Sequence, residues 1–282
     1  MPSNDPVEPV DYLVIGHLAC DITPDGLRLG GTAAYAALTA QALGLRVGIV
    51  SAWGGEISLQ PLDGIKLHII ETDHSTTFEN EISPIGRVQH IHYIAPDLSI
   101  DNVPEPWLGT PIIHIGPIAG EAKSLVNGYF PSSLIGLTPQ GWLRTWDTNG
   151  RVNPGDWPEA AEMLSKAGAA VLSVEDVNGN EDNIECMATS SRVLALTEGP
   201  AGARLYWNGD LRRFRTSLLK EVDATGAGDI FAAAFFWRYH LSRDPWAAAR
   251  FATQLASFSV TRFGLDGIPT QEEINSCLVE VL

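Results

Sequence analysis

The stretch Asp223-Ala224-Thr225-Gly226-Ala227-Gly228-Asp229 constrains this 282-residue chain more than any other. A glycine-rich turn runs directly into Ile230-Phe231-Ala232-Ala233-Ala234-Phe235-Phe236, a segment of strong helix formers. Gly226 and Gly228 open backbone conformations closed to residues with a Cβ and let another molecule approach closely. The first amides of a helix have no intrahelical partner, and the macrodipole places partial positive charge there. The combination suits a phosphate or another anion. Asp229 then has two readings. As a first-turn acid it complements the dipole; inside an anion site it is suited to taking a proton from an attacking hydroxyl. Two acids, Thr225 and a helix of small residues in fixed order favour the second.

Asp223–Asp229 resembles the C-terminal signature of the ribokinase (PfkB) carbohydrate kinase family, usually Asp-Thr-x-Gly-Ala-Gly-Asp; Ala224 stands where the family often has Thr. The resemblance implies that Asp229 is the catalytic base. It also implies that the amides of Gly226, Ala227 and Gly228 form an anion hole for the γ-phosphate.

The length allows a large core in one domain, expected to run over residues 1–282. With 18 lysines and arginines against 34 acids the net charge is −16, which argues against nucleic acid or an anionic membrane as partner. Cys20, Cys186 and Cys277 lie far apart in no metal-ligand spacing, as in a reducing compartment without structural disulfides. No apolar run approaches a membrane span, and the acidic start Met1-Pro2-Ser3-Asn4-Asp5 is unlike a signal peptide. The cytoplasm is the expected location.

In chain order, Tyr12-Leu13-Val14-Ile15-Gly16 reads as a buried parallel strand. Asp21 follows it, near where an open parallel sheet places its ligands, or else as a loop acid capping a turn. The resemblance gives Asp21 the role of binding acceptor hydroxyls. Gly30-Gly31 opens an alanine-rich helix ending before Gly44, and resembles the family's acceptor-binding Gly-Gly motif. Only a small hairpin fits between Asp21 and Gly30. Val47–Val50 and Leu67–Ile70 read as further strands.

Alternation over Thr76–Ile82 and Arg87–Ile94, around Ser83-Pro84-Ile85-Gly86, predicts a hairpin within 76–94 serving as a lid. Glu79 or Asn80 on it are candidates to touch the acceptor. His90 and His92 share a strand face but lack a third ligand, and are read as exposed sheet residues.

Strands at Pro111–Gly116 and Ser133–Leu137 precede Thr138-Pro139-Gln140-Gly141-Trp142-Leu143-Arg144. An amide and a guanidinium at a strand exit suit a polyol hydroxyl and a phosphate, unless Arg144 simply pairs with Asp147. Within the family this stretch resembles inositol-kinase-like members.

Asp156 and Pro158 open a helix expected to reach Gly168. After strand Ala170–Val174, Ser173-x-x-Asp176 stands where many relatives carry Asn-x-x-Glu, linked to magnesium and phosphate. The carboxylate of Asp176 is kept for Mg2+, through water, while Ser173 loses the amide. Thr197-Glu198-Gly199-Pro200-Ala201-Gly202 resembles the family's nucleotide-bordering Thr-x-Gly-x-x-Gly stretch. Asn208-Gly209 marks a hairpin turn. Asp244-Pro245 starts a helix expected to reach Phe263, and the segment Ser257–Gly264 resembles the adenine-site lining, which in some relatives helps bind a monovalent cation such as K+. Thr270-x-x-Glu273 is a capping box.

The expected fold is a doubly wound α/β domain with a mainly parallel sheet, ribokinase-like, bearing a small β lid. The expected function is an ATP- and Mg2+-dependent kinase acting on a sugar or cyclic polyol hydroxyl. myo-Inositol is favoured over ribose, fructose or a nucleoside. Asp21, Gly30, Gly31, Glu79, Gln140 and Arg144 would hold the acceptor; Thr197, Glu198, Gly199, Gly202, Gly226, Gly228 and Ser257 would border the nucleotide. A homodimer through the lid is the expected assembly. From another class, a non-catalytic polyol or nucleotide sensor on the same fold is kept alive by Ser173 and opposed by the intact Asp229.

Overall fold

The computed structural model describes residues 8–83, 86–217 and 219–278. The start Met1–Asp5 and the turn residues Pro84 and Ile85 fall outside them.

The apolar run at the start forms strand β1 (Tyr12–Ile15), with no residue exposed. Such a run has no polar face because both faces of the sheet are covered. Tyr12 and Val14 enter one core, together with buried residues of helices α1 (Gly31–Ala42), α4 (Ala227–Ser242) and α5 (Pro245–Ser259). Leu13 and Ile15 enter the opposite core, with residues of α2 (Ala160–Lys166) and α3 (Glu181–Ser190). This alternation is the two-residue period of a strand sandwiched between helical layers.

β1 pairs in parallel with β4 (Val47–Trp53) and β8 (Ile112–Ile115). Beyond β4 lies β5 (Lys66–Glu71); beyond β8 follow β9 (Leu134–Leu137), β12 (Ala169–Ser173) and β13 (Val193–Thr197), all parallel. β14 (Ala203–Trp207) and β15 (Asp210–Phe214) are added antiparallel. Asn208 and Gly209 join them with positive φ angles of 52° and 81°, the turn their sequence predicts. The nine-stranded order is β15-β14-β13-β12-β9-β8-β1-β4-β5.

The hairpin expected between Asp21 and Gly30 and the one expected within 76–94 meet in a single lid. β2 (Ala19–Thr23) and β3 (Gly26–Gly30) are antiparallel, as are β6 (Thr76–Ser83) and β7 (Gly86–Tyr93), and β2 joins β6 in parallel. Its inner side packs through Phe78 and Ile91 against Ile118 and Ala119 of the main body.

Two local expectations are corrected, and one element is new. The helix after Asp156 starts only at Ala160, because Pro158 and Glu159 form a turn and no side chain caps it. The helix after Asp244 ends at Ser259 rather than Phe263. There Ser257, Ser259 and Thr261 each donate a hydroxyl hydrogen bond to a carbonyl three residues back, which tightens the chain out of the helix. An unexpected ribbon pairs β10 (Arg144–Trp146) with β11 (Val152–Pro154). Asp147 closes its turn by accepting from the amides of Asn149 and Arg151.

Candidate active site

The turn before α4 is shaped by one glycine. Gly226 is the N-cap residue at φ 79°, and a Cβ there would lie 2.2 Å from the ring of Tyr35 on α1. Only glycine meets both conditions. Gly228, expected to need the same freedom, lies inside the helix, and a Cβ on it would meet nothing within 4 Å. Its bare face instead borders open space. Asp223 ties the turn to the segment after α5: its carboxylate accepts from the amides of Thr225 and Gly264, each at 2.9 Å. Residues Ile230 to Phe236 of α4 are all buried, so the helix is fixed by packing immediately behind its N-terminus.

That N-terminus opens into a cavity of about 460 Å³ beyond the carboxyl ends of β9, β12 and β13, closed on one side by the lid. Open parallel sheets bind ligands at this end. Asp229 lines the cavity, and burial lifts its carboxyl to a pKa of about 6. A hydrogen bond from Thr32 and the charge of Arg144 oppose the rise, and the charge of Asp176 adds to it. An acid poised near neutrality suits proton transfer.

Asp176 lines the same cavity. Its Oδ2 accepts from the amide of Ser173 at 2.7 Å and its Oδ1 from Gln140 Nε2 at 3.2 Å. Burial raises its pKa against these bonds and against Arg144. Ser173 thus orients Asp176 through its backbone, a part its side chain does not determine. Each carboxylate oxygen keeps a lone pair. Among the described residues no three His, Cys, Asp or Glu side chains gather into a metal cluster. The donor set fits an Mg2+ carried by phosphate oxygens and water, with one carboxylate beside it, rather than an all-protein cage.

Asp21, Gly31, Gln140 and Arg144 all reach the cavity. Gly30 does not line it; a Cβ at Gly30 would lie 2.1 Å from Asp21 Oδ2, so the bare glycine makes room for that carboxylate. Arg144 donates to the carbonyl of Ile118 at 3.4 Å and lies 5.8 Å from the centre of the Phe78 ring. Glu79 is placed elsewhere: its carboxylate sits 2.9 Å from His92 Nε2 on the exposed face of the lid, and Phe78 and Gln89 line the cavity in its stead. A strand turns successive side chains to opposite faces, so Phe78 inward places Glu79 outward. Asn80 accepts a hydrogen bond from Gln89 at 2.9 Å.

Thr197, Gly199, Gly202 and Ser257 border the end of the cavity between β13 and α5. Glu198 does not; it turns to Arg204, 2.9 Å away, and Arg213, 3.5 Å away. Leu219, Ala256 and Val260 supply an apolar wall there. Among the described lining residues Arg144 is the one cation, against Asp21, Glu175, Asp176, Glu221 and Asp229. Sequence reasoning missed Thr32, Tyr35 and Phe78. Thr32 carried a usable signal, following the glycine pair at the start of α1.

A parallel sheet whose last long helix presents its N-terminus and a first-turn carboxylate to a cleft under a β lid is the arrangement of a phosphotransferase with an alcohol group as acceptor. The model described as pfkB family carbohydrate kinase matches residues 157–271. The chain resembles the ribokinase-like carbohydrate kinases over that segment, and its fold is ribokinase-like. It is 25% identical over 280 residues to a cytidine kinase of Thermococcus kodakarensis, covering 90% of this chain and 98% of that protein. A solved pyrophosphate-dependent kinase in the ribokinase family, complexed with a pyrophosphate analog and myo-inositol, superposes with a TM-score of 0.78 at 18% identity, covering 94% of this chain and 99% of that one. A putative ribokinase II from E. coli in complex with ATP and Mg2+ superposes with a TM-score of 0.72 at 19% identity, covering 95% and 98%. Among the described residues no helix is long and apolar enough to cross a membrane.

Proposed function

We propose that this protein transfers the γ-phosphoryl group of ATP to a hydroxyl of a cyclic polyol or sugar, with myo-inositol the favoured acceptor. The observation that carries the reading is Asp229: a carboxylate of raised pKa in the first turn of α4, beside the Gly226–Gly228 amides and in one cavity with Asp21, Gln140 and Arg144.

Asp229 takes the proton from the attacking hydroxyl as that oxygen approaches the γ-phosphorus. The turn amides face the charge on the transferred group, and being fixed by packing they need no rearrangement to do so. Asp176 would hold Mg2+ through water beside the phosphates, where the ion would offset their charge. Asp21 and Gln140 accept from and donate to acceptor hydroxyls, and Arg144 lies where it can meet acceptor or phosphate. Thr197, Gly199, Gly202 and Ser257 border the nucleotide, with the adenine against the apolar wall of Leu219, Ala256 and Val260.

That wall supports ATP over pyrophosphate, the donor named for the inositol-bound neighbour. A bare pyrophosphate would leave the apolar surface uncovered, and a cleft with one guanidinium among five acids is poorly charged to hold so compact an anion. A nucleoside acceptor is the second reading. It is favoured by the similarity to a cytidine kinase over most of both chains and by the aromatic residue Phe78 in the cavity lining.

A coupled ADP-release assay over inositols, pentoses, hexoses and nucleosides tests these readings, with pyrophosphate as an alternative donor. The highest specificity constant is expected with myo-inositol and ATP. Preference for cytidine would install the second reading, and no turnover with any acceptor would point to a sensor.

A further inference from the structure

A second concavity, of about 340 Å³, lies between β15 and α5. Arg212, Arg213, Phe214 and Arg215 form one wall, and Trp246, Arg250 and Gln254 the other. None of these residues lines the cavity that holds Asp229. Four of the 18 basic residues of a chain with net charge −16 meet here, and among the described residues no carboxylate lines the depression.

Like charges so gathered repel one another, and the chain has 34 acids with which to neutralise them. It does so sparingly. Arg213 has Glu198 at 3.5 Å, but that carboxylate is already engaged by Arg204 at 2.9 Å. Among the described residues Arg215 and Arg250 have no carboxylate within ion-pair distance. Arg212 is held with its guanidinium 4.3 Å over the ring of Trp246. A stacked guanidinium leaves its in-plane N–H donors available, in the fork geometry that matches phosphate oxygens.

We propose that this concavity binds a phosphorylated small molecule carrying at least two negative charges. Exposed arginines are screened by salt, so a monovalent ion gains little here, while a multiply charged phosphate can engage several forks at once. The four arginines share one depression, and the net negative charge of the molecule as a whole repels a long polyanion. The chemistry therefore favours a compact ligand over nucleic acid. Arg215 precedes Thr216 and Gln254 follows Thr253, and both threonines line the neighbouring cavity. An occupant would fasten two segments of that cavity's wall together.

The test is a calorimetric titration of the full chain at about 0.15 M salt, with adenosine, which has no phosphate to compete for the arginines, present in excess at the donor site. Probes are tripolyphosphate, a hexose bisphosphate, inorganic phosphate and a short single-stranded oligonucleotide. One equivalent of tripolyphosphate or hexose bisphosphate should bind, and the preferred probe distinguishes a polyphosphate from a sugar phosphate as the source. Arg215→Gln and Arg250→Gln should each weaken binding by about tenfold or more. Both side chains are exposed, and among the described residues neither has an ion-pair partner, so the variants should melt like the parent without anion, and Arg250→Glu should abolish binding at the same melting temperature. Equal affinity in parent and variants, no binding of any small anion, or binding of the oligonucleotide alone would each overturn the proposal. The readout does not depend on turnover, so it stands apart from the kinase reading.

Discussion

The ring of Tyr35 fills the space a side chain at Gly226 would need: a Cβ there falls 2.2 Å from it. The helix that follows the first glycine pair thereby sets the shape of the turn two hundred residues further on, in which the candidate base sits.

Gly226→Ala should therefore lower both stability and turnover. The left-handed backbone costs a Cβ-bearing residue about 1–3 kcal/mol, and the clash with a buried ring adds to it. Gly228→Ala should melt near the parent temperature, since its methyl meets only open space, yet lose activity because that space is the cavity. Melting curves and kcat on the same preparations separate the two.

Asp229→Asn should reduce kcat by roughly 10²–10⁴, the range of general-base assistance. ATP affinity should hold or improve, as a negative charge beside the phosphates is removed. Near-parental kcat would remove Asp229 as the base.

With its pKa at about 6, Asp229 must lose a proton before it can accept one, so log kcat should climb as pH rises through about 6 and level off above. The bond from Thr32 holds this pKa down, so Thr32→Val should shift the rise to higher pH. Stability carries the opposite sign. The folded pKa exceeds the ordinary aspartate value of 3.8, so the native state binds the extra proton, and stability drains away as pH rises from about 4 to about 6. Asp229→Asn should lack that loss, gaining on the parent toward pH 8. Thermal melts across the range check it.

Asp21→Ala should raise the KM for the acceptor and leave ATP affinity intact, with a loss of about 1.5–3 kcal/mol for one charged hydrogen bond. Gly30→Ala should imitate it without touching the ligand, because its methyl would displace the Asp21 carboxylate. A parallel fall in ATP affinity in either variant would make Asp21 structural.

The features legible in the sequence were those decided locally. β1 is an unbroken apolar run, Asn208-Gly209 makes its own turn, and Thr270 and Glu273 exchange hydrogen bonds across four residues. Glu79 faces away from the cavity because the face a strand residue takes is set by its partners' register rather than by its own chemistry, and Glu198, just past the end of β13, is drawn aside by Arg204 and Arg213. Tyr35 and Phe78 could not be read at all. Each acts by filling space beside residues remote in sequence, and an aromatic side chain in a chain of this length has many equally good places to be buried.

The nine-stranded sheet ends on β15 and β5, and an uncovered outer strand is an invitation to pair with another chain. β15 presents Asp210, Arg212 and Arg213 along its length, and β5 begins with Lys66 and ends with Glu71. A strand added from a second molecule would have to lay its own side chains beside these charges. The arginines of β15 thus guard the sheet from growing into a fibre, a duty they perform whether or not an anion ever rests among them.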